Sequence, residues 1–221
     1  GWSGPSPISV IRSINRRLNI ENYEGPTSLD VLESGNKVLI EVREKISELI
    51  NVNPEEVLLT QNTTEGINIV LNGFPWKIGD EIVTFDIEHP AVLTTCKHVE
   101  SRFGIRVRVI PLSPGDDYDI LMKKLETVLN VNTRMLVFSH IQYSNGFRMP
   151  VRIIRHLTKN RNIYLLVDGA QGPGHIFVDI ANIGADFYSM PSQKWLLGPD
   201  GVGALYIKKE LIGLIKPSYV G

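Results

Sequence analysis

The sequence predicts an α/β fold, in which a mostly parallel sheet of about seven strands, one of them antiparallel, is covered by helices on both faces. Three observations support this. Short β-rich runs alternate with amphipathic helical stretches along most of the chain, an order typical of parallel sheets. The run "IYLLVD" (163–168) is almost continuously apolar, as expected of a strand buried on both sides. The last two runs follow each other without a full helix between them, which favours one antiparallel strand.

The elements follow in order along the chain. The opening "GWSGPSP" is rich in Gly and Pro and predicts a loop. Residues 29–50 carry apolar side chains at helical spacing and predict the first helix. The predicted strands are 56–60, 81–85, 105–112, 134–139, 163–168, 186–190 and 203–207. The predicted helices between them are 64–72, 90–102, 118–129 and 151–160.

Composition narrows the classes of function. With 221 residues the chain is long enough to bury a sizeable core, and 43% hydrophobic with 21% charged residues is ordinary for a globular protein. A net charge of −1 gives no electrostatic case for nucleic acid or anionic membranes as partners. One cysteine, Cys96, excludes an internal disulfide framework and a multi-cysteine metal site. No apolar run approaches a membrane span, so we expect a cytoplasmic protein that binds a small molecule and no metal.

Polar segments follow five of the predicted strands. In open α/β sheets ligands bind at the carboxyl ends of the strands, so these segments are the first place to look for a site. They read "QNTTEG" (61–66), "DIEHP" (86–90), "HIQYSNG" (140–146), "DGAQG" (168–172) and "PSQKWLLG" (191–198).

Two of these segments contain an acid or a helix start with alternative roles. Asp168 ends a strand and either caps the next turn or keeps a heterocyclic nitrogen protonated, with Gln171 then donating to a ring substituent on the same side. In "TQNTTEGIN", Thr63 or Thr64 is expected at the N-cap and Glu65 in the first turn. That arrangement is either a well-capped helix or, in addition, a cradle for a phosphate.

Two more segments supply a histidine and a lysine. His89 precedes Pro90 and is either structural or lies against an aromatic cofactor ring and relays protons. Lys194 either begins a surface hairpin or is a desolvated amine with a lowered pKa, which forms Schiff bases with carbonyl carbons. Each residue alone is weak evidence. Together they supply a phosphate cradle, a ring neighbour, a ring-nitrogen partner and an amine, which predicts a pyridoxal 5'-phosphate (PLP) site.

The motifs "TTEGIN", "EHP", "VDGAQ" and "QKWLLGPDGVGALY" resemble the class-V aminotransferase family, which includes cysteine desulfurases, epimerase-like proteins and transaminases. The resemblance runs from "GPSP" to about Gly221. It implies the PLP-binding large domain of an aspartate-aminotransferase-like fold over 29–221, incomplete, preceded by an N-terminal arm and loop segment over 1–28. The smaller C-terminal domain of the family is absent from this sequence.

The resemblance also implies roles for individual residues. Lys194 would hold the cofactor as a Schiff base and move the substrate Cα proton, Asp168 would protonate the ring nitrogen, and His89 would stack on the ring. Gln171 would bond the phenolic oxygen. Thr63, Thr64 and Gln193 would bind the phosphate. Ser192, beside Gln193, and Tyr143 are further candidate cofactor-binding residues.

Two positions differ from the desulfurase pattern. Tyr143 stands where many desulfurases have an asparagine near the ring, and Pro191 stands at the phosphate-binding serine position. These differences favour an aminotransferase-like or epimerase-like reaction, including C–S lyase chemistry, on an amino acid. The alternatives are a cysteine desulfurase or a truncated, non-catalytic protein of the same fold. Cys96, inside a predicted helix, is expected to be a buried hydrophobe rather than a sulfur carrier. A homodimer with the active site at its interface is implied by the resemblance.

Overall fold

The computed structural model describes residues 3–217 of the chain. It contains seven strands and seven α-helices in that range. The helices are α1 (Ile8–Glu24), α2 (Leu29–Ile50), α3 (Thr63–Gly73), α4 (Pro90–Phe103), α5 (Tyr118–Val128), α6 (Val151–Thr158) and α7 (Ile180–Ile183). The strands are β1 (Val57–Thr60), β2 (Glu81–Phe85), β3 (Arg106–Ile110), β4 (Thr133–Ser139), β5 (Tyr164–Asp168), β6 (Phe187–Pro191) and β7 (Gly203–Ile207). Two 3₁₀ turns, Pro54–Glu56 and Lys209–Leu214, complete these elements.

All seven strands form one sheet in the order β1-β7-β6-β5-β4-β2-β3. The neighbours from β6 to β3 are parallel, whereas β7 pairs antiparallel with both β1 and β6. The prediction of a mostly parallel sheet with one antiparallel strand is therefore confirmed. The connection from β6 to β7, residues 192–202, contains no helix, whereas a parallel crossover needs a dozen or more residues that usually include one.

Five strands of the sheet, β2, β4, β5, β6 and β7, are buried on both faces. Along β4, Leu136 and Phe138 belong to one hydrophobic cluster, while Met135 and Val137 belong to another. The first cluster includes core residues of α5 and α6, and the second includes core residues of α3 and α4. Because side chains alternate between the two faces of a strand, the nearly continuous apolar runs of the sequence are accounted for.

The N-terminal segment contains an element that the sequence analysis did not predict. Helix α1 spans Ile8–Glu24 and buries none of its side chains within the described chain. It contacts α2 through Arg17, which donates to Ser34 Oγ (2.7 Å) and to the carbonyl of Val31 (2.9 Å). The predicted helix at 29–50 is confirmed, but its apolar positions are mostly exposed; Leu32 and Leu39 are each about half exposed.

No helix among residues 3–217 is long and apolar enough to span a bilayer. Cys96 is fully buried in α4, as expected of a small apolar side chain, and burial raises the pKa of its thiol to about 12.

Candidate active site at the carboxyl edge of the sheet

A cavity of about 530 Å³ lies at the carboxyl ends of the central strands, a volume within the usual range for small-molecule sites. The strand register explains its position. Ser139 at the end of β4 pairs with Asp168 at the end of β5, and Asp168 pairs with Ser189 on β6. Ser139 and Asp168 line the cavity. Eight of the nine predicted site residues line it: Thr63, Thr64, His89, Tyr143, Asp168, Gln171, Gln193 and Lys194.

Ser192 is the predicted site residue that the fold does not bring to this cavity. Its hydroxyl donates to the carbonyl of Pro199 (2.5 Å), and its backbone N–H donates to the carbonyl of Val202 (2.9 Å). These bonds hold the turn between β6 and β7. Sequence adjacency to Gln193 and Lys194 suggested a shared role, but the side chain serves the turn instead.

The start of α3 forms one wall of the cavity. The N-cap is Asn62, whose side chain accepts from the N–H of Glu65 (2.9 Å), so the prediction of Thr63 or Thr64 at the N-cap is wrong. Thr63 and Thr64 instead occupy the first helical turn. The first backbone hydrogen bond of α3 runs from the N–H of Gly66 to the carbonyl of Asn62 (3.4 Å). The backbone N–H groups of Thr63 and Thr64 come before it in the chain. Amides at this position and the helix dipole attract anions.

Two buried polar atoms at the cavity have no hydrogen-bond partner among the described residues, namely Thr63 Oγ1 and Gln193 Oε1. Buried polar groups in folded proteins are nearly always hydrogen-bonded. Since Thr63 and Gln193 line the same cavity, these unsatisfied atoms indicate that the cavity binds a group with polar atoms at this wall. The amide oxygen and nitrogen of Gln193 are interchangeable by rotation, so this side chain can present a donor there.

Asp168 and Lys194 bring opposite charges into the cavity. Burial raises the pKa of Asp168, although the N–H of Ala170 donates to its Oδ1 (2.8 Å) and the charges of Lys194 and His89 oppose the rise. Burial also lowers the pKa of Lys194, against the attraction of Asp168. The two are not joined by an ion pair within residues 3–217. The cavity therefore disfavours both charges, and the amine of Lys194 is more nucleophilic than an exposed lysine.

His89 and Tyr143 form an edge-to-face pair at the cavity, with ring centroids 5.1 Å apart and ring planes at 77°. His89 is the N-cap of α4, and its Nδ1 accepts from the N–H of Ala91 (3.1 Å). This bond assigns the remaining proton of a neutral imidazole to Nε2. Half of the Tyr143 side chain is exposed, so its ring forms part of the entrance.

Gln171 is oriented by Trp195, whose indole N–H donates to Gln171 Oε1 (2.7 Å). Trp195 in turn stacks on His175, with centroids 4.1 Å apart and planes at 18°. Glycines let the backbone pass closely behind these groups. A Cβ at Gly174, whose φ is +85°, would lie 2.5 Å from the carbonyl oxygen of Trp195.

Sequence reasoning missed a buried acid beside the cavity. Glu88 accepts two hydrogen bonds from Ser139 and one from Gln142, across 51 and 54 residues of chain. The only sequence signal was an acid next to His89 in a segment that follows a strand.

Comparisons with known proteins agree with this geometry. The family model described as aminotransferase class-V matches residues 6–221. A probable cysteine desulfurase of Methanothermobacter thermautotrophicus is 34% identical over 220 residues, which cover 98% of this chain and 54% of the relative. A cysteine desulfurase of Vibrio vulnificus is 33% identical over 76% of this chain and 41% of its own length. The chain thus spans about half the length of these curated relatives.

Solved structures give the same result. The complex of the cystine C–S lyase C-DES with its product cysteine persulfide superposes with a TM-score of 0.95 and 31% identity, over 99% of this chain and 58% of that one. A second C-DES structure carries glycine covalently linked to its PLP cofactor and gives a TM-score of 0.94. A cysteine desulfurase of Escherichia coli gives 0.87 at 25% identity, over 99% of this chain and 55% of that one.

Proposed function

Because the chain belongs to the class-V aminotransferase family, we propose that it is the cofactor-binding part of a PLP-dependent enzyme that cleaves a C–S bond of a sulfur-containing amino acid. One observation carries the proposal. The amine of Lys194, the carboxyl group of Asp168 and the unpartnered polar atoms of Thr63 and Gln193 converge on one cavity. The choice of C–S cleavage over transamination or epimerisation rests on the relatives, which are named cysteine desulfurases and a cystine C–S lyase.

The residues present fit this cofactor. The first turn of α3, with Thr63 and Thr64, would hold the phosphate together with Gln193. Asp168 would hold the ring nitrogen, Gln171 the phenolic oxygen, and Lys194 the aldehyde carbon through a Schiff base. His89 and Tyr143 would flank the ring. When bound, PLP withdraws electrons from the substrate Cα and so weakens its bonds.

The chain's own residues then have defined tasks. Asp168, surrounded by apolar strands, would keep the ring nitrogen protonated, because a positive charge beside the carboxylate offsets the cost of burying that carboxylate. Lys194, with its lowered pKa, would take the proton from the substrate Cα, the electron pair left there would expel the sulfur from Cβ, and the proton would pass to the leaving sulfur. His89, with Nε2–H directed by the bond at Nδ1, supplies a donor near the ring.

The sulfur atom needs an acceptor other than Cys96. That thiol is fully buried in α4 and its pKa is raised, so it neither reaches the cavity nor ionises readily. We propose that the sulfur leaves as a small product, on the precedent of the cystine C–S lyase C-DES, whose reaction product is cysteine persulfide. A desulfurase that uses a carrier cysteine is the second candidate, favoured by the names of the relatives.

The wider assignments are proposals of the same kind. Residues 29–221 would form the large domain and 1–28 an N-terminal arm, and two copies would place the site at their interface. The cytoplasmic location stays a prediction from the sequence.

The cofactor assignment is tested by adding PLP to the purified protein, reducing with borohydride and mapping the labelled peptide by mass. We expect a visible absorbance band and a label on Lys194, with both lost in Lys194→Ala. Lys208→Ala, which changes a lysine outside this cavity, is the matched control and should keep both. A colourless parent protein, or a label on another lysine, would refute the assignment.

The reaction is tested with cysteine, cystine and alanine as separate substrates. C–S cleavage releases sulfide or persulfide from the first two, whereas transamination of alanine yields pyruvate without sulfur. Pyruvate from alanine in the absence of any sulfur release from cysteine or cystine would replace the proposed reaction with transamination.

A further inference from the structure

The buried carboxylate of Glu88 connects two segments of the cavity wall. Its Oε2 accepts from the backbone N–H of Ser139 (2.9 Å) and from Ser139 Oγ (2.5 Å). Its Oε1 accepts from Gln142 Nε2 (2.5 Å). The side chain is 2% exposed and itself does not line the cavity. Glu88 follows β2, and its partners lie at the end of β4 and in the loop that comes after it.

This arrangement costs stability. Removing a carboxylate from water is expensive, and only good hydrogen bonds offset the cost. Three donors are present, but the cost is not fully offset, because burial raises the pKa of Glu88 to about 7, and the nearby charge of Asp168 adds to the rise. An apolar side chain would fill this place at lower cost, so a polar side chain here has a role other than packing in the core.

The segments joined by Glu88 carry residues of the cavity. His89 is the next residue in the chain, Ser139 lines the cavity directly, and Gln142 is followed by Tyr143. His89 and Tyr143 meet edge to face across the gap between these two segments. The bonds of Glu88 are therefore a polar link between the two segments that carry these rings.

We propose that Glu88 is a positioning residue, which ties the segment after β2 to the segment after β4 and thereby holds His89, Ser139 and Tyr143 in place around the cofactor. The inference rests on the proposed function. In this role Glu88 sets the distance between the two rings and does not contact the cofactor or the substrate. The role requires a side chain that accepts two hydrogen bonds from Ser139, and it does not require a negative charge.

Substitutions in the full-length protein distinguish the requirement for a hydrogen-bond acceptor from a requirement for negative charge. Glu88→Ala removes the link. Glu88→Gln keeps an oxygen that accepts from Ser139 and places an N–H₂ opposite Gln142. Gln142 Oε1, a buried atom without a partner among residues 3–217, can take that donor after rotation of its amide. PLP affinity and the visible circular dichroism of the bound cofactor are the readouts, since the latter reports the asymmetry of the rings around it.

Glu81 offers a matched control. It is equally buried at 2% exposed and lies on β2, the strand that Glu88 follows. Its carboxylate accepts from Asn130 (2.8 Å) and Thr133 (3.0 Å) and pairs with Arg108. It stands at the opposite edge of the sheet from the cavity. Glu81→Ala is thus expected to lower the melting temperature without changing the affinity for PLP or the dichroism.

We expect Glu88→Ala to weaken PLP binding by about tenfold, the usual effect of breaking a buried charged hydrogen-bond set, and to reduce the dichroic band. Glu88→Gln should stay within about threefold of the parent protein, below the effect of one lost hydrogen bond.

If Glu88→Ala does not fold, Gln142→Ala cuts the link from the other side and should reduce the band as well. Parent-like dichroism in the variant that lacks the link would overturn the proposal. Equal damage from Glu88→Gln and Glu88→Ala would overturn it too, since charge and not position would then be required. A parent protein that binds no PLP would refute the proposed function, and the positioning role with it.

Discussion

Gly66 in the first turns of α3 is the position where one added methyl group should matter most. A Cβ there would lie 2.2 Å from Ser189 Oγ, 3.0 Å from Ser189 Cβ and 3.3 Å from Leu205 Cβ. The hydroxyl of Ser189 can rotate, but its Cβ and the strand behind it cannot move without shifting β6. Rotation would also break the bond from Ser189 Oγ to the carbonyl of Thr63 (2.9 Å), which holds the start of α3 against the sheet.

The effects oppose each other, and their sizes decide the sign. Alanine is favoured over glycine inside a helix by about 1 kcal/mol. Overpacking a close-packed core costs about 1–3 kcal/mol, and loss of a buried hydrogen bond costs about 1 kcal/mol more. The net loss in the free energy of unfolding for Gly66→Ala is therefore about 2 kcal/mol. Because the strain falls on the turn that carries Thr63, PLP affinity should fall by about tenfold, an energy of about 1.4 kcal/mol.

Urea denaturation of the cofactor-free protein and PLP titration measure the two effects. Gly35→Ala in α2 is the control, since the added Cβ would meet only the flexible end of Arg17 (3.3 Å). That substitution should be neutral or stabilise the protein by about 0.5–1 kcal/mol. A Gly66→Ala protein as stable as the Gly35→Ala protein would refute the reasoning, because helix propensity would then outweigh contact with β6.

Three further outcomes are expected. In the cofactor-free protein, Lys194 should react with an amine-directed acylating reagent at lower pH than Lys45, because burial lowers the pKa of Lys194 whereas Glu48 raises that of Lys45; identical pH profiles by peptide mass mapping would contradict this. As pH rises from 4.5 to about 7, the free energy of unfolding of the cofactor-free protein should fall by about 3 kcal/mol relative to that of Glu88→Gln. The reason is that Glu88 keeps its proton in the folded protein, whereas the unfolded chain releases it. Stability curves of the two proteins that run parallel with pH would contradict this. Trp195→Phe, which loses the bond to Gln171 but keeps a ring against His175, should weaken PLP binding by about fivefold, whereas His175→Ala should not.

The strands β2, β4, β5, β6 and β7 could be predicted because each one is buried on both faces. A strand such as "IYLLVD" must be apolar almost throughout, so the ends of the apolar run predict the ends of the strand. Strand β5 begins at Tyr164, one residue after the predicted start. Helix α1 lacks that signal. It buries no side chain in the described chain and is held to α2 by Arg17 rather than by an apolar stripe. Helices that do not pack on the core leave little periodicity to detect.

The sequence predicts which segments meet at the site, but it does not predict the orientation of each side chain there. The carboxyl edge of a parallel sheet brings together whatever follows its strands, and this rule alone gathered His89, Asp168 and Lys194. In "NTTE" three successive residues are good N-caps, and Asn62 takes that position because its backbone remains extended where β1 ends. The link from Glu88 to Ser139 spans 51 residues, and local sequence carries no trace of such a contact.

The pKa shifts of Asp168 and Lys194 explain why this cavity suits one particular kind of ligand. Opposite charges in one cavity would ordinarily stabilise each other's charged forms, yet here burial moves each pKa toward the neutral form. Their mutual attraction is thus smaller than the cost of removing them from water. A ligand that offered Asp168 a protonated nitrogen and engaged the lone pair of Lys194 at a carbonyl carbon would recover that cost at both ends. Together with an anion at the first turn of α3, these requirements describe the three ends of PLP, which neither the lysine nor the acid would specify alone.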